Sequence, residues 1–173
     1  AVQAEQRGTG HAVLQAKQQM ASFNGDVLIL FGGDPLITPE TMKKLLDRRH
    51  GDDDPAVVVL GFRPTEPGLY GRLIVDGAGR LQAILEARDA TPEQLATDLC
   101  NSGVMAVDGK RLFDLLGRVD NNNAKGEFYL TDIIAIANGD GANCAVIEAQ
   151  DHDELTAIDP RADLAATEAI AQK

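Results

Sequence analysis

The sequence has few cysteines and no apolar run long enough to cross a membrane. Its 173 residues include two cysteines, Cys100 and Cys144, which excludes a disulfide-stabilised scaffold. We expect both to be small buried side chains in a reducing compartment, which predicts a cytoplasmic protein. The longest apolar runs, 27–31 and 57–60, are far shorter than a membrane span of roughly 20 residues, and residues 1–5 do not form a signal peptide. No membrane is expected as a partner.

Basic residues are also scarce. The chain has 16 Lys and Arg residues against 27 Asp and Glu residues, for a net charge of −11. Since binding to a phosphate backbone requires a basic face, this balance argues against nucleic acid as a partner. An apolar content of 44% is sufficient for a core, and we expect one globular unit over residues 1–173.

Several catalytic motifs are missing. The sequence contains no Cys-x-x-Cys, His-Glu-x-x-His or Gly-x-Ser-x-Gly, and its three histidines are isolated, so zinc chemistry and a serine nucleophile have little support. Gly8-Thr9-Gly10 lacks the third glycine of the dinucleotide fingerprint and the Gly-Lys-Ser/Thr ending of a P-loop. On its own this segment is either the start of a helix or a phosphate-binding turn, and no catalytic residue is assigned.

Short β-rich runs alternate with amphipathic stretches, as is typical of an α/β protein. Predicted strands lie at 27–31, 56–63, 72–75, 80–86, 100–107 and 143–148, and predicted helices at 11–23, 38–49, 91–99, 109–119 and 130–138, with a last helix starting at Asp159. The run 27–31 has no alternation, which predicts a central parallel strand buried on both faces. Strands 72–75 and 80–86 form a predicted hairpin. We therefore expect a mixed, mostly parallel sheet flanked by helices.

Local signals mark three helix starts. Thr9 is a predicted N-cap for the first helix, and Thr38 is an N-cap followed by a proline and an acidic residue in the first turn. Thr91-Pro92-Glu93-Gln94 is a capping box with proline at its first helical position. These signals are local, so they predict where a helix begins better than where it ends.

Five motifs occur in an order that resembles one bacterial family. They are residues 3–12, Tyr70-Gly71-Arg72, residues 85–90, Asn101-Ser102-Gly103 and residues 121–132. Together they resemble the N-terminal uridyltransferase domain of the bifunctional N-acetylglucosamine-1-phosphate uridyltransferase/glucosamine-1-phosphate acetyltransferases. The resemblance covers essentially the whole chain. It implies a Rossmann-like nucleotide-diphospho-sugar transferase fold and the joining of UTP and N-acetylglucosamine 1-phosphate, with magnesium, into UDP-N-acetylglucosamine and diphosphate for cell-wall synthesis.

The resemblance also implies binding residues. On the nucleotide side they are Gln3, Gln6, Gly8, Thr9 and Gly32, and on the side of the sugar and its phosphate they are Gly71, Glu86, Asn101, Tyr129 and Thr131. Glutamine amides can read the edge of a base, and a carboxylate and an amide suit sugar hydroxyls and an N-acetyl group. The implied mechanism is in-line attack on the α-phosphorus of UTP without a covalent nucleophile.

The chain departs from the family pattern at the expected metal site. The family has glycine and then aspartate after the aromatic residue, whereas this chain has Phe31-Gly32-Gly33-Asp34, so Gly33 stands where the magnesium aspartate belongs. Side chains alternate along extended backbone, which would point Asp34 away from the metal. The second family ligand aligns with Asp159, which precedes Pro160 and also suits a helix N-cap. Asp34 and Asp159 are the two candidate ligands.

Two parts of the family pattern have no counterpart among these residues. One is the opening strand with its glycine-rich loop, and the other is the β-helix domain for acetyl transfer. We therefore expect an incomplete uridyltransferase domain whose strand 27–31 has a free edge, covered by another segment or by a second copy of the chain. The alternative function is a catalytically inactive form that keeps only the sugar-binding half.

Overall fold

Residues 1–151, 153–155 and 168 are described in a computed structural model of the chain, and the predicted helix at Asp159 lies outside them. The strands are β1 Asp26–Ile29, β2 Val57–Phe62, β3 Arg72–Val75, β4 Leu81–Leu85, β5 Cys100–Asp108 and β6 Cys144–Glu148. The α-helices are α1 Thr9–Leu14, α2 Pro39–Arg49, α3 Pro92–Leu95, α4 Gly109–Leu116 and α5 Ile133–Gly139, and 3-10 turns lie at Leu130–Asp132 and Asp153–Leu155.

The sheet is built around β5. Its strand order is β4-β3-β5-β2-β6, with β1 also paired to β5. Strand β2 follows one edge of β5, while β1 and β3 share the other edge. Strands β2 and β6 are parallel, and the other described pairs are antiparallel. The expected α/β class with a mixed sheet is confirmed, but the sheet is not mostly parallel because β5 runs against its neighbours on both edges.

Strand β1 differs from its prediction. It pairs antiparallel with β5, from Asp26 opposite Asp108 to Ile29 opposite Met105, so the predicted parallel central position is wrong. Within the part of the chain that the structure describes, no strand pairs with its second edge. Of its residues only Ile29 is buried, and Leu30 and Phe31 just beyond it are each 40% exposed. The apolar run therefore supplies an edge strand and part of a cavity wall.

The helix starts follow the local signals in two cases of three. Thr38 caps α2 by accepting a hydrogen bond from the Thr41 amide at 3.3 Å, and both hydrogen bonds of the predicted Thr91–Gln94 capping box form at α3. At α1 the N-cap is Gly8, and the Thr9 hydroxyl accepts a hydrogen bond from the distant Leu130 amide at 3.0 Å. A tertiary donor thus replaces the predicted local one. None of the described helices is long and apolar enough to span a membrane.

Alternating residues of β2 and β5 form the core on both faces of the sheet. One cluster includes Val57, Val59 and Met105, and the cluster on the other face includes Val58 and Leu60. All six residues of β2 are buried. Cys100 and Cys144 are buried and unpaired, as predicted. Burial raises the pKa of both thiols, that of Cys144 to about 12, so neither is a ready nucleophile.

A bulge interrupts β5 where β1 and β3 leave its edge free. The register with β2 shifts between the pairs Val59 with Met105 and Gly61 with Asn101. The Ser102 hydroxyl donates to the Leu60 carbonyl at 2.7 Å and accepts from the Val104 amide at 3.2 Å, so it replaces lost ladder bonds.

Gly103 completes this bulge. Its φ is +90°, a conformation that favours glycine, and a Cβ there would lie 2.3 Å from the Phe31 ring. The ring therefore packs directly on the β5 backbone. Only a residue without a side chain permits both the turn of the backbone and this contact.

Replacing Gly103 with alanine should cost more stability than the same change at Gly79, whose φ is +79° with open space around its Cβ position. The Gly79→Ala variant should lose about 1–2 kcal/mol from backbone strain alone. Gly103→Ala should lose at least about 1 kcal/mol more, because the methyl group collides with Phe31. Urea unfolding measures both losses, and equal losses would show that the contact with Phe31 does not constrain residue 103.

Candidate functional site

A cavity of about 260 Å³ lies at the free stretch of the β5 edge, between β1 and β3. Its lining comes from the bulge, the loop before β3, the end of β4 and the 3-10 turn: Thr9, Phe31, Leu69, Tyr70, Gly71, Glu86, Asn101, Ser102, Gly103, Met105, Leu130 and Thr131. Because the strands on this edge stop short of each other, backbone and polar side chains of β5 face open space. We call this the sugar-side cavity, after the residues that the resemblance assigns to the sugar and its phosphate.

A larger cavity of about 590 Å³ adjoins it between α1 and β1. It is lined by Gln3, Gln6, Gly8, Thr9, Ala12, Val13, Ile29, Leu30, Phe31 and Glu127. Thr9 and Phe31 line both cavities. An elongated ligand can therefore extend from one to the other past these two residues. We call the larger space the nucleotide-side cavity, after the residues that the resemblance assigns to the nucleotide.

Four of the five residues predicted on the nucleotide side line the larger cavity. The Gln3 amide donates to the Gly8 carbonyl at 3.2 Å and lies 2.9 Å from His11 Nδ1, which leaves its own carbonyl oxygen available. At Gly8 φ is +115°, and a Cβ would lie 2.6 Å from the Phe128 carbonyl oxygen, so the turn requires glycine. Gly32 lies in the turn after β1 and lines neither cavity.

Four of the five residues predicted on the sugar side line the smaller cavity. The Thr131 hydroxyl donates to Glu86 Oε1 at 3.4 Å. Asn101 Oδ1 accepts from the Gly103 amide at 3.0 Å, and within the described chain no partner occupies the Asn101 side-chain nitrogen. Gly71 accepts the Asn101 amide on its carbonyl at 2.8 Å. These groups offer a carboxylate, an amide donor and a close backbone approach to a polyhydroxylated ligand.

Tyr129 does not line the sugar-side cavity, although the next two residues do. Its side chain is buried, and its hydroxyl has no hydrogen-bond partner in the described part of the chain. Burial raises the pKa of this phenol, and the nearby carboxylates of Asp89 and Glu86 add to the effect. The phenol therefore remains a hydrogen-bond donor near the acidic end of the cavity.

Sequence reasoning missed several lining residues. Phe31 and Tyr70 lie in motifs from which only neighbouring residues were predicted to bind a ligand. An aromatic residue next to a glycine was the sequence signal that could have identified them. Leu69 is 75% exposed and carries no signal in the sequence, since only its place in the loop before β3 brings it to the cavity.

Two half-buried acids shape the electrostatics around the sugar-side cavity: Glu86, which lines it, and Asp132, which follows the lining residue Thr131. Burial raises the pKa of Glu86, while its hydrogen bond from Thr131 partly offsets this. For Asp132, burial first and then the charges of Asp120, Glu86 and Asp89 raise the pKa from 3.8 to about 6. This end of the site therefore favours neutral hydrogen-bonding groups of a ligand over its anionic groups.

The turn after β1 does not supply a magnesium site among the described residues. The Asp34 amide donates to the Phe31 carbonyl at 3.2 Å, which places Gly32 and Gly33 at the corners of the turn. Asp34 lines neither cavity, and burial raises the pKa of its carboxyl. No group of three metal-ligating side chains occurs in the described ranges. Asp159 lies outside them, so its predicted role stays a prediction.

A solved structure has the same fold as this chain. It is described as UDP-glucose pyrophosphorylase complexed with UDP-glucose, and it matches with a TM-score of 0.71 over 98% of this chain and 64% of that one, at 14% sequence identity. At this identity the likeness establishes the fold. The fold agrees with the nucleotide-diphospho-sugar transferase fold that the resemblance implied.

Curated relatives are much closer in sequence. The chain is 57% identical over 171 residues to the bifunctional protein GlmU of Paramagnetospirillum magneticum and 58% identical over 171 residues to that of Rhodospirillum rubrum, in each case covering 99% of this chain. It is 49% identical over its full length to GlmU of Rhizorhabdus wittichii. The chain spans 38% of the length of each of these relatives. No family model matches it. The predicted resemblance is confirmed.

Asp132 should make stability depend on pH. Because its pKa is about 6 in the folded protein and 3.8 in an unperturbed chain, the folded state binds more protons than the unfolded state between these values. Raising the pH through this window therefore lowers the free energy of unfolding. The free energy of unfolding of Asp132→Asn should match that of the wild type near pH 3.8. At pH 7 it should exceed the wild-type value by about 1–2 kcal/mol, allowing for the screening of a half-buried group. Denaturant unfolding across this range measures the difference, and a constant difference contradicts the assignment.

Proposed function

We propose that this chain is the nucleotidyltransferase portion of an enzyme that forms UDP-N-acetylglucosamine and diphosphate from UTP and N-acetylglucosamine 1-phosphate. One observation carries the proposal: the two cavities adjoin and share Thr9 and Phe31. One has glutamine amides suited to a base, and the other has a carboxylate, an amide and a hydroxyl suited to a sugar. The similarity to the GlmU proteins and the fold of the UDP-glucose pyrophosphorylase support this assignment.

The proposed reaction is a single displacement. An oxygen of the sugar phosphate bonds to the α-phosphorus of UTP, the bond from that phosphorus to the bridging oxygen breaks, and diphosphate leaves. The residues named here bind and orient the two substrates, and none of them is a covalent nucleophile. Gln3 and Gln6 hold the base in this arrangement, and Glu86 and Asn101 hold the sugar.

Magnesium, the cytoplasm and the assembly state stay predictions. The resemblance implies magnesium, but Gly33 and Asp34 do not fit the ligand position that it predicts. A cytoplasmic location agrees with two buried thiols and a nucleotide substrate. A completing segment or a second copy of the chain would cover the free edge of β1.

The residues at 33 and 34 favour a second candidate function, which is binding of the sugar nucleotide without turnover. Gly33 has no side chain to offer a ligand, and Asp34 faces neither cavity. An assay of diphosphate release from UTP and N-acetylglucosamine 1-phosphate separates the candidates. Release that depends on both substrates supports the transferase, while ligand binding without release supports the binding protein.

Removing either polar side chain of the sugar-side cavity should weaken binding of UDP-N-acetylglucosamine. Glu86→Ala or Asn101→Ala leaves a polar group of the ligand without its hydrogen-bond partner. Each change should reduce the binding free energy by about 1–3 kcal/mol, which is roughly a 5- to 150-fold loss of affinity. Titration calorimetry measures these losses, with Gln19→Ala as the control because Gln19 is exposed and lines neither cavity. Unchanged affinity in both cavity variants would show that the sugar does not bind in this cavity.

Exchanging the order of residues 33 and 34 should create a better cation site. The double variant Gly33→Asp with Asp34→Ser places a carboxylate one residue nearer Phe31, and it should raise magnesium affinity about tenfold in the presence of UDP-N-acetylglucosamine. Asp34→Ser alone is the matched control and should not gain affinity. Calorimetric titration with magnesium chloride measures the change. Equal affinity in the double variant and the control would show that the order of these residues does not set cation binding.

A further inference from the structure

Arg72, at the start of β3, is buried to 3% exposure directly beside the sugar-side cavity. In the described chain no carboxylate lies within ion-pairing distance of its guanidinium. A buried cation without an acid partner is costly unless other groups satisfy its N–H donors. The partners of this guanidinium therefore show why the position carries an arginine.

Those partners are backbone carbonyls of one loop and one helix end. Arg72 Nη1 donates to the carbonyl of Pro67 at 3.2 Å and to that of Tyr70, and Nη2 donates to the carbonyl of Gly68 at 3.1 Å. Arg72 Nε donates to the Leu95 carbonyl at the end of α3, at 3.5 Å. A planar guanidinium with five fixed donors can hold several carbonyls at once, which an ammonium group cannot do in the same geometry.

The loop that Arg72 holds forms one wall of the sugar-side cavity. Leu69, Tyr70 and Gly71 line that cavity, and the first two are 75% and 39% exposed. The Tyr70 ring also packs edge-on against Phe62, with ring centroids 4.9 Å apart. An exposed loop with few apolar contacts depends strongly on the hydrogen bonds beneath it.

We propose that Arg72 is a positioning residue that sets the shape of the loop wall, and thereby the affinity for the sugar end of the ligand but not for its nucleotide end. The inference rests on the proposed function for the identity of the ligand. Arg72 lines neither cavity, so it acts through the carbonyls of the loop. The nucleotide-side cavity shares no residue with that loop.

The test compares Arg72→Met and Arg72→Lys with the matched control Arg80→Met. Arg80 is exposed and bonds Asp76 in the hairpin turn, far along the β3–β4 hairpin from the loop. Calorimetry measures the Kd of UDP-N-acetylglucosamine and of UDP for each protein. We expect both Arg72 variants to raise the Kd of UDP-N-acetylglucosamine about tenfold with the Kd of UDP unchanged, and Arg80→Met to change neither.

Amide hydrogen exchange without ligand provides a readout that does not depend on ligand identity. Exchange of the amides of residues 68–71 should rise at least about tenfold in both Arg72 variants and stay unchanged in Arg80→Met. If the wild type binds no UDP-N-acetylglucosamine, the proposed function fails while this readout still tests the role of Arg72. If Arg72→Met does not fold, Arg72→Lys supplies the same comparison. Full retention of loop protection and sugar affinity in Arg72→Lys, or equal losses for both ligands, would overturn the proposal.

Discussion

The free stretch of the β5 edge is the constraint on which the site depends. Strand β5 pairs with β2 on both sides of the bulge, yet β1 reaches only to Met105 and β3 only to Cys100 on the other edge. A continuous ladder there would fill the space that the sugar-side cavity occupies. The bulge at residues 101–103 keeps the backbone satisfied without a neighbouring strand, since Ser102 bonds on the β2 side and Asn101 bonds the Gly103 amide.

Packing around this gap aligns the two cavities. Phe31 lies on the bare backbone at Gly103 and forms a wall of both spaces. Thr9 binds the Leu130 amide, which ties the segment of α1 to the 3-10 turn that carries Thr131. The nucleotide side and the sugar side thus come from distant parts of the chain, and these two contacts are among those that join them. A change at either contact should alter both cavities together.

The sequence predicted what local interactions decide. The caps at Thr38 and Thr91, the hairpin turn at residues 76–79 and the burial of the cysteines all depend on near neighbours or on apolar character, and all are present. The prediction for 27–31 was wrong because an apolar run specifies neither the direction of its partner strand nor how much of the strand other elements cover, and only Ile29 of β1 is buried. The prediction that Thr9 caps α1 was wrong because its hydroxyl accepts a hydrogen bond from the Leu130 amide, 121 residues away in sequence.

The candidate site was predictable to the extent that it follows motifs. Glu86 and Asn101 belong to separate motifs. They line the same cavity because the β3–β4 hairpin pairs with β5. Gly32 and Tyr129 stand next to lining residues but do not line a cavity, because the orientation of single residues in a turn depends on tertiary packing. Leu69 and the role of Arg72 follow from a loop conformation that has no simple sequence pattern.

The most direct test of this account is a titration of the isotopically labelled protein with UDP-N-acetylglucosamine, followed by amide chemical shifts. If the gap in the β5 edge holds the sugar, the amides of Gly71 and of residues 101–103 should show the largest shifts, and UDP alone should leave them nearly unchanged. Shifts confined to the distant concavity lined by Arg80, Asn138 and Asn143, with none at residues 101–103, would contradict the account.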